Sequence, residues 1–501
     1  MKSDFRSAYL PAILLLAFAF RLMGVASRPI WYDEAFAILF SEKGPCAMIY
    51  GTLTSTGGGA ADIHPLGYYT LLWLWMQAFG SSLTAVRILS VLAGVATVAL
   101  AYLLTRDLFN EKIAATASIF VALAPFHVHY SQEIRMYSFL ALWLILATYA
   151  YARGVKGDGT KWWIIFAVSA ALAQYTHNLA AFYLVPLSAT PLLRRDWKTL
   201  RAVLLSGLGA ILLYLPWLLQ LPSQVAKVST AYWVERPGLD KFFTLLLVYV
   251  TNLPLPNNLL FVGLFIALAV ISIGVVQTFR RANHTNAVWL LYLSLAPPVL
   301  LFLVSQWVPL YIERALLPSG VMFCIWLAWA LFNTALPVPI RNGLLVLLAI
   351  GVTIGLYQHI TYSDFPYAPY KALNESLLER ATNSDVILHS SKLTMLPAVY
   401  YDRDLLQTYI ADPPGSSVDT LAPVTQEVLG LEAETNMESA VGDAERVWFI
   451  IFEQSNQEYL QRGEPMHPHL AWLINHYSLL EVQQWGDIRV YLFFSKTLTA
   501  P

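Results

Sequence analysis

Eleven runs of predominantly apolar residues divide the first 360 positions of this chain: 8–26, 85–105, 113–130, 136–152, 161–177, 178–193, 200–219, 258–279, 287–306, 315–333 and 342–360. A helix needs about 17–25 such residues to cross a hydrocarbon layer of about 30 Å. No water is available there, so each run must satisfy its own backbone hydrogen bonds as a helix. The pattern predicts an α-helical polytopic membrane protein with about 11 transmembrane helices. Charged residues make up 13% of the 501 positions, against roughly 25% in soluble proteins. A net charge of −1 argues against nucleic acid as a partner and leaves membrane lipid as the surroundings. Cys46 and Cys324 are far apart and lack the spacing of a disulfide framework or a zinc finger.

The first run follows Lys2 and Arg6 as a signal peptide would, but Arg21 interrupts it and it exceeds a typical h-region, so it reads as a retained helix. Segment 66–79, LGYYTLLWLWMQAF, is too short and too rich in Tyr and Trp for a span; it reads as an interfacial or re-entrant helix in the first outer loop. With it left out of the count, Lys and Arg concentrate in alternate connections: the N-terminus, 106–112, 153–161, 194–201, 280–281 and Arg341. The positive-inside rule then places the N-terminus in the cytoplasm and the C-terminus outside, as expected of a multi-pass protein of the plasma (inner) membrane. No internal repeat is evident, which argues against an inverted-repeat transporter.

From about 361 the composition turns soluble. A helix over 371–381 and strands in 385–389, 445–453 and 487–496 predict a small C-terminal α/β domain. The chain therefore divides into a transmembrane domain, 1–360, and an extracytoplasmic α/β domain, 361–501. No phosphate-binding glycine loop follows the 385–389 strand. His467, His469 and His476 read as surface residues.

Polar residues collect on the outer side. The first outer loop carries Asp33–Glu34 and later His64; the end of the 113–130 run and the turn after it hold His127, His129, Glu133, Arg135 and Tyr137; His177 ends the 161–177 run; Trp233, Glu235 and Arg236 come next, then Glu313 and Arg314. Charge at membrane depth is costly and usually faces other charge or a wet cavity. Each group also has a plain structural reading. Asp33–Glu34 suits the start of a helix, His64 a loop, His127 and His129 interfacial anchors, and His177 a buried core position. Trp233 suits an anchor, and Glu133–Arg135 and Glu313–Arg314 suit simple ion pairs.

The order of motifs, however, resembles a known family. W-x-D-E-A at 31–35, H-P-x-x-Y-Y at 64–69 with a following F-G and Arg87, Y-S-Q-E-x-R-M-Y at 130–137, T-H at 176–177 and E-R-x-L-L-P at 313–318 are similar to glycosyltransferase family 39 of the GT-C superfamily. That family includes dolichyl-phosphate-mannose–protein mannosyltransferases and resembles the aminoarabinose transferases of lipid A. The resemblance spans roughly 10–335. It implies a GT-C fold, with juxtamembrane helices in the first outer loop, and transfer of a sugar from a polyprenyl-phosphate carrier to an acceptor hydroxyl on the non-cytoplasmic side. Here the family's common H-P-P is H-P-L, the tripeptide motifs of the protein mannosyltransferases' soluble domain are not apparent, and the C-terminal 140 or so residues look different; protein as acceptor is therefore not supported, and the acceptor (glycan, lipid or protein) is left unassigned.

The chemistry suggests roles. A carboxylate ionised at neutral pH suits a general base: Asp33 is expected to serve, with Glu34 orienting it or holding a sugar hydroxyl, and Glu133 as the second candidate. Arg135, Arg236 and Arg314 suit the leaving phosphate, with His64 or His177 as donors and Tyr137 in the same site. No cofactor is required, although the acids and imidazoles leave room for a divalent metal. Single displacement predicts inversion at the anomeric carbon. The alternatives are a flippase for lipid-linked saccharides, which would share the groove and the cations, and a membrane receptor.

Overall fold

The computed structural model describes residues 9–55, 61–230, 234–280, 285–333, 335–414, 416 and 419–496; Trp233, Lys2, Arg6 and Arg281 lie outside them. Every apolar run is helical. Among the described residues seven helices are long and apolar enough to cross a membrane: α5 (Leu83–Leu108), α8 (Tyr137–Val155), α11 (Trp197–Leu218), α14 (Asn257–Phe279), α15 (Thr285–Val304), α16 (Leu317–Phe332, with the 3-10 turn Glu313–Leu316 before it) and α17 (Val338–Thr361). The 113–130 run is one span bent by 58° into α6 (Glu111–Leu123) and α7 (Pro125–Ser131). Three are shorter: α1 (Tyr9–Leu22), α9 (Lys161–Thr176) and α10 (Ala181–Leu193). Successive helices run between two ends of one bundle. At one end Arg153 donates to Asp107 (2.9 Å) and Asn286 donates to the Leu108 carbonyl (3.0 Å), joining connections that the sequence marks as basic. The opposite end carries α2 (Tyr32–Ser41), α3 (Gly44–Leu53), α4 (Gly67–Phe79), α12 (Leu221–Thr230) and α13 (Asp240–Val250).

The bend in the third span has a local cause. Pro125 has no N–H to offer the Val121 carbonyl, and it disfavours helical backbone at Ala124, whose ψ is 119°. The freed carbonyls are taken by Arg21 from α1: its guanidinium donates to Val121 (3.3 Å) and Ala122 (3.0 Å), and to Ser131 Oγ (3.1 Å) across the break. Arg21 is fully buried. Gly94 on α5 makes the room, since a Cβ there would meet the Arg21 Nε at 2.9 Å. The result aims α7, and the turn 132–136 after it, across the end of the bundle. Segment 66–79 forms α4, as its length and aromatics suggested. It begins at Gly67, where a Cβ would lie 2.5 Å from the Tyr175 carbonyl oxygen at the end of α9.

The C-terminal domain is a six-stranded mixed sheet in the order β3-β2-β1-β4-β6-β5, with β1 Asp385–His389, β2 Thr408–Ile410, β3 Ala433–Glu434, β4 Arg446–Phe452, β5 Tyr477–Trp485 and β6 Ile488–Ser495. Strands β3, β2, β1 and β4 are parallel; β6 and β5 are antiparallel. Strand β4, RVWFIIF, buries side chains on both faces, as a central strand between two helical layers must. One face packs on α18 (Tyr370–Arg380) and α19 (Lys392–Tyr401), the other on α21 (Met437–Val441) and α23 (Pro468–His476). Two further helices, α20 (Pro423–Leu429) and α22 (Glu453–Gln461), complete the domain. His467 and His469 are buried, against the surface reading; the His467 ring packs edge-on against Tyr459 and His469. Only His476 of the three is exposed.

Candidate active site

Asp33 and Glu34 occupy the first turn of α2, and adjacent residues on a helix point about 100° apart. Glu34 turns inward, to 0% exposure. Arg87 on α5 meets it with two bonds, Nε to Oε1 at 3.0 Å and Nη2 to Oε2 at 2.7 Å. The remaining Arg87 hydrogens go to the Val25 and Arg28 carbonyls (2.8 Å each) and to Pro29 (3.3 Å). Glu34 Oε1 also accepts from the Ile134 N–H at 3.0 Å. This carboxylate therefore ties α2, α5 and the turn after α7 together. With its oxygens so engaged and no exposure, it is not placed to hold a sugar hydroxyl.

Asp33 turns the other way, onto the wall of a cavity of about 350 Å³ that Trp31, Tyr137, Arg135, Arg314 and His64 also line. Two guanidiniums converge on its Oδ2, Arg135 from the 132–136 turn and Arg314 from the turn before α16, each at 3.5 Å. The Arg314 guanidinium lies 5.0 Å from the Tyr137 ring and 5.9 Å from the Trp31 ring, cation–π distances that steady it in the wall. Glu313 leaves its neighbour and pairs with Lys241 of α13 at 2.9 Å. The bland Glu313–Arg314 ion pair is thus not formed, and Arg314 serves the cavity.

A second lobe of about 140 Å³ shares Asp33, Tyr32, His64, Arg135, Lys392 and Asp419 with the first. His64 bonds Asp62 through Nδ1 at 2.8 Å. Burial alone would raise the Asp62 carboxyl, but the His64 ring and the backbone N–H groups of Ile63 and His64 outweigh it and hold the group at about 2. The loop is pinned from behind: Asn178 donates to the Ile63 carbonyl (3.1 Å), and Gln224 to the Asp62 carbonyl (3.3 Å). His177 is buried with its ring 6.0 Å from His64 and 5.8 Å from Tyr137. Its Nδ1 accepts from the Leu179 N–H, which leaves the hydrogen on Nε2, a buried atom without a protein partner.

The other predicted residues fall elsewhere. Glu133 is buried behind the cavity wall, not on it: Oε1 accepts from His129 Nε2 (3.0 Å) and from the Tyr367 hydroxyl (3.4 Å). Asn252 donates to His129 Nδ1 (3.2 Å), which fixes that tautomer. Burial pushes the Glu133 carboxyl up. The plain reading of Glu133–Arg135 as an ion pair is therefore replaced by two separate partnerships. Arg236 is exposed, because Val234 and Pro237 on either side of the Glu235–Arg236 pair turn inward, and it lines neither lobe. The sequence reading missed Arg28, His359 and Tyr367, which join the end of α17 to this region: Arg28 bonds His359 Nδ1 at 3.0 Å and lies 4.8 Å from the Tyr367 ring. It also passed over Asp62, although D-I-H-P displays it, and Lys392 of the C-terminal domain. Among the described residues no group of three or more His, Cys, Asp and Glu side chains could hold a metal ion.

Comparison with known proteins agrees with this architecture. The family model for dolichyl-phosphate-mannose-protein mannosyltransferase matches residues 63–219. An undecaprenyl phosphate-alpha-4-amino-4-deoxy-L-arabinose arabinosyl transferase of Pseudomonas aeruginosa (strain UCBPP-PA14) is 26% identical over 233 residues, 44% of this chain and 41% of that one. One of the Pseudomonas fluorescens enzymes of the same name is 29% identical over 240 residues, again 44% and 41%. The matches thus span about two fifths of the length of these relatives. Among solved structures, ArnT from Cupriavidus metallidurans bound to undecaprenyl phosphate superimposes over 100% of both chains with a TM-score of 0.64 at 12% identity. The oligosaccharyltransferase of Archaeoglobus fulgidus in complex with Zn and sulfate gives 0.56 at 14% identity, over 96% of this chain and 73% of that one. The fold is the GT-C type.

Proposed function

We propose that this protein transfers a sugar from a polyprenyl-phosphate carrier to an acceptor hydroxyl. The observation that carries the reading is Asp33: a carboxylate on a cavity wall, 16% exposed, with two guanidiniums at 3.5 Å. The matched family and relatives are named for sugars carried on dolichyl or undecaprenyl phosphate, and one structure of the same fold holds undecaprenyl phosphate. The acceptor hydroxyl gives its proton to Asp33 while its oxygen attacks the anomeric carbon. The bond from that carbon to the phosphate oxygen breaks, and the electron pair leaves with the phosphate. Arg135 and Arg314 face the charge that develops there. They are shared, since both also hold Asp33 at 3.5 Å. An arriving donor phosphate draws the guanidiniums toward itself and frees the Asp33 oxygens to take the acceptor's proton. His177, with its unpartnered Nε2–H, and His64 are the further donors near the sugar. Attack opposite the leaving group inverts the anomeric centre. The protein acts in the plasma (inner) membrane with its cavity and C-terminal domain outside, a placement supported by Lys and Arg at the bundle's other end.

The test is transfer of radiolabelled sugar from a panel of polyprenyl-phosphate monosaccharides by the full-length protein in liposomes. Wild type is expected to transfer, and Asp33→Asn to lose about 100-fold or more, the scale of a missing general base. No cleavage of any donor by folded wild type overturns the reading in favour of a flippase. Wild-type rates in Asp33→Asn remove Asp33 as the base. A product that retains the donor configuration removes the single displacement.

A further inference from the structure

Turns between the transmembrane helices supply the arginines of the cavity, but part of its wall belongs to the C-terminal domain: Lys392, Leu393, Asp419, Phe452 and Glu458. Their positions follow from the sheet. Strand β1 lies between β2 and β4, parallel to both. After β1 the chain enters α19 and goes on to β2 on one side; after β4, on the other side, it enters α22. The connections leaving β1 and β4 therefore part in opposite directions at the carboxyl ends of the strands. Such a switch point leaves a crevice, and open α/β sheets bind their ligands there. Lys392 opens α19 three residues past the end of β1, Phe452 ends β4, and Glu458 lies on α22. All three line the same cavity as Asp33. Helix α19 packs on α2, the helix that carries Asp33, so the crevice opens onto the candidate base rather than onto bulk solvent.

Its chemistry differs from that of the arginine side. The buried Lys392 ammonium bonds Asp419 at 3.0 Å and lies 5.3 Å from the Tyr32 ring, one residue before Asp33. Phe365 and Phe452 meet edge to face, with centroids 5.0 Å apart. On this side the cavity is lined by the carboxylates of Asp419 and Glu458 and by the Lys392 ammonium. This mixed lining offers hydrogen-bond acceptors as well as a donor. It suits hydroxyl groups, which donate to carboxylates, on a ring whose C–H faces lie against aromatic side chains. We infer that the crevice at the carboxyl ends of β1 and β4 is the acceptor subsite, and that it takes a saccharide and turns one hydroxyl toward Asp33. This rests on the transferase reading above and deepens it: the donor phosphate meets the transmembrane arginines, and the acceptor meets the sheet.

The test uses saturation-transfer NMR on the full-length protein in nanodiscs. The probes are methyl glycosides of glucose, galactose, mannose and N-acetylglucosamine, and a serine-containing peptide as competitor. At least one glycoside is expected to receive saturation from wild type. Glu458→Gln, on a half-buried helix position, and Lys392→Gln are each expected to weaken it by about five-fold or more, the loss of one hydrogen bond. Binding of undecaprenyl phosphate should stay within about two-fold in both variants, as for separate sites. Glycoside signals that neither variant changes, or a signal from the peptide alone, overturn the inference. Should wild type bind a glycoside through Glu458 and Lys392 yet cleave no donor, the crevice stands and the transferase reading falls.

Discussion

Asp33 and Glu34 are neighbours on one helical turn, yet they belong to two different regions. The region around Glu34 is dry and closed: Arg87 spends its hydrogens on that carboxylate and on three backbone carbonyls of the 25–29 segment. The region around Asp33 is open to a cavity, and its ionic contacts of 3.5 Å are looser. Tight, fully bonded charge in a dry place holds geometry; looser charge beside a cavity can exchange partners with a substrate. A sequence-adjacent pair of acids can thus divide the work, because a helix turns them about 100° apart.

The largest effects should separate the two regions. Asp33→Asn is expected to lower transfer by about 10²- to 10⁴-fold, with a smaller loss of stability than the clamp variants show. Arg87→Met leaves Glu34 buried and uncompensated, and should cost about 3–5 kcal/mol of stability. Thermal unfolding in detergent together with kcat and KM, measured where the variant is still folded, distinguishes them. The comparison breaks if Arg87→Met unfolds like wild type but loses kcat, since the clamp would then belong to the chemistry. Arg314→Lys is the next, smaller effect. It keeps the charge but loses the planar fork that can bridge a carboxylate and a phosphate. A fall of about ten-fold in kcat, with little change in melting temperature, is expected for one weakened charge-assisted contact. Full activity in Arg314→Lys would mean that a point charge suffices on the Asp33 wall.

The sequence made some of this division readable. The apolar runs became helices because a span has few structural options, and 66–79 became α4 because its length and aromatics forbade more. The D-E pair pointed to Asp33. Nothing local showed that Glu34 would be taken by Arg87, 53 residues away, or that Arg21 would mend the carbonyls left by Pro125. Of the six strands, β1, β4 and β6 carried apolar runs. Strands β2 and β3 have three and two residues, and β5 is an edge strand whose residues after Tyr477 are exposed or half-buried, so its sequence lacks the apolar run. Arg236 was named for its charge, but charge does not say which way a loop side chain turns. Lys392 was missed for the opposite reason: it enters the site only through the docking of α19 on α2, a long-range contact with no local signature.

The smallest expected effect sharpens the wet side of the comparison. Asp62 lies on the second lobe with Asp33, and its carboxyl is held at about 2, against 3.8 for the free group, by the His64 ring and by backbone N–H groups. A carboxyl lowered on folding stabilises the fold above its unfolded value, and that stabilisation is lost as pH falls toward the folded value. Asp62→Asn keeps an oxygen that still accepts from the Ile63 and His64 N–H groups, so the charge is the main thing removed. Because the pair is partly exposed, a loss of about 1–2 kcal/mol is expected at pH 7. The gap in melting temperature between wild type and variant should hold down to about pH 4 and close as pH falls from 3.8 toward 2. A gap that persists at pH 2 would mean that shape, not charge, holds the His64 loop. The wall of the cavity would then resemble the dry clamp more closely than the looser contacts of Asp33 suggest.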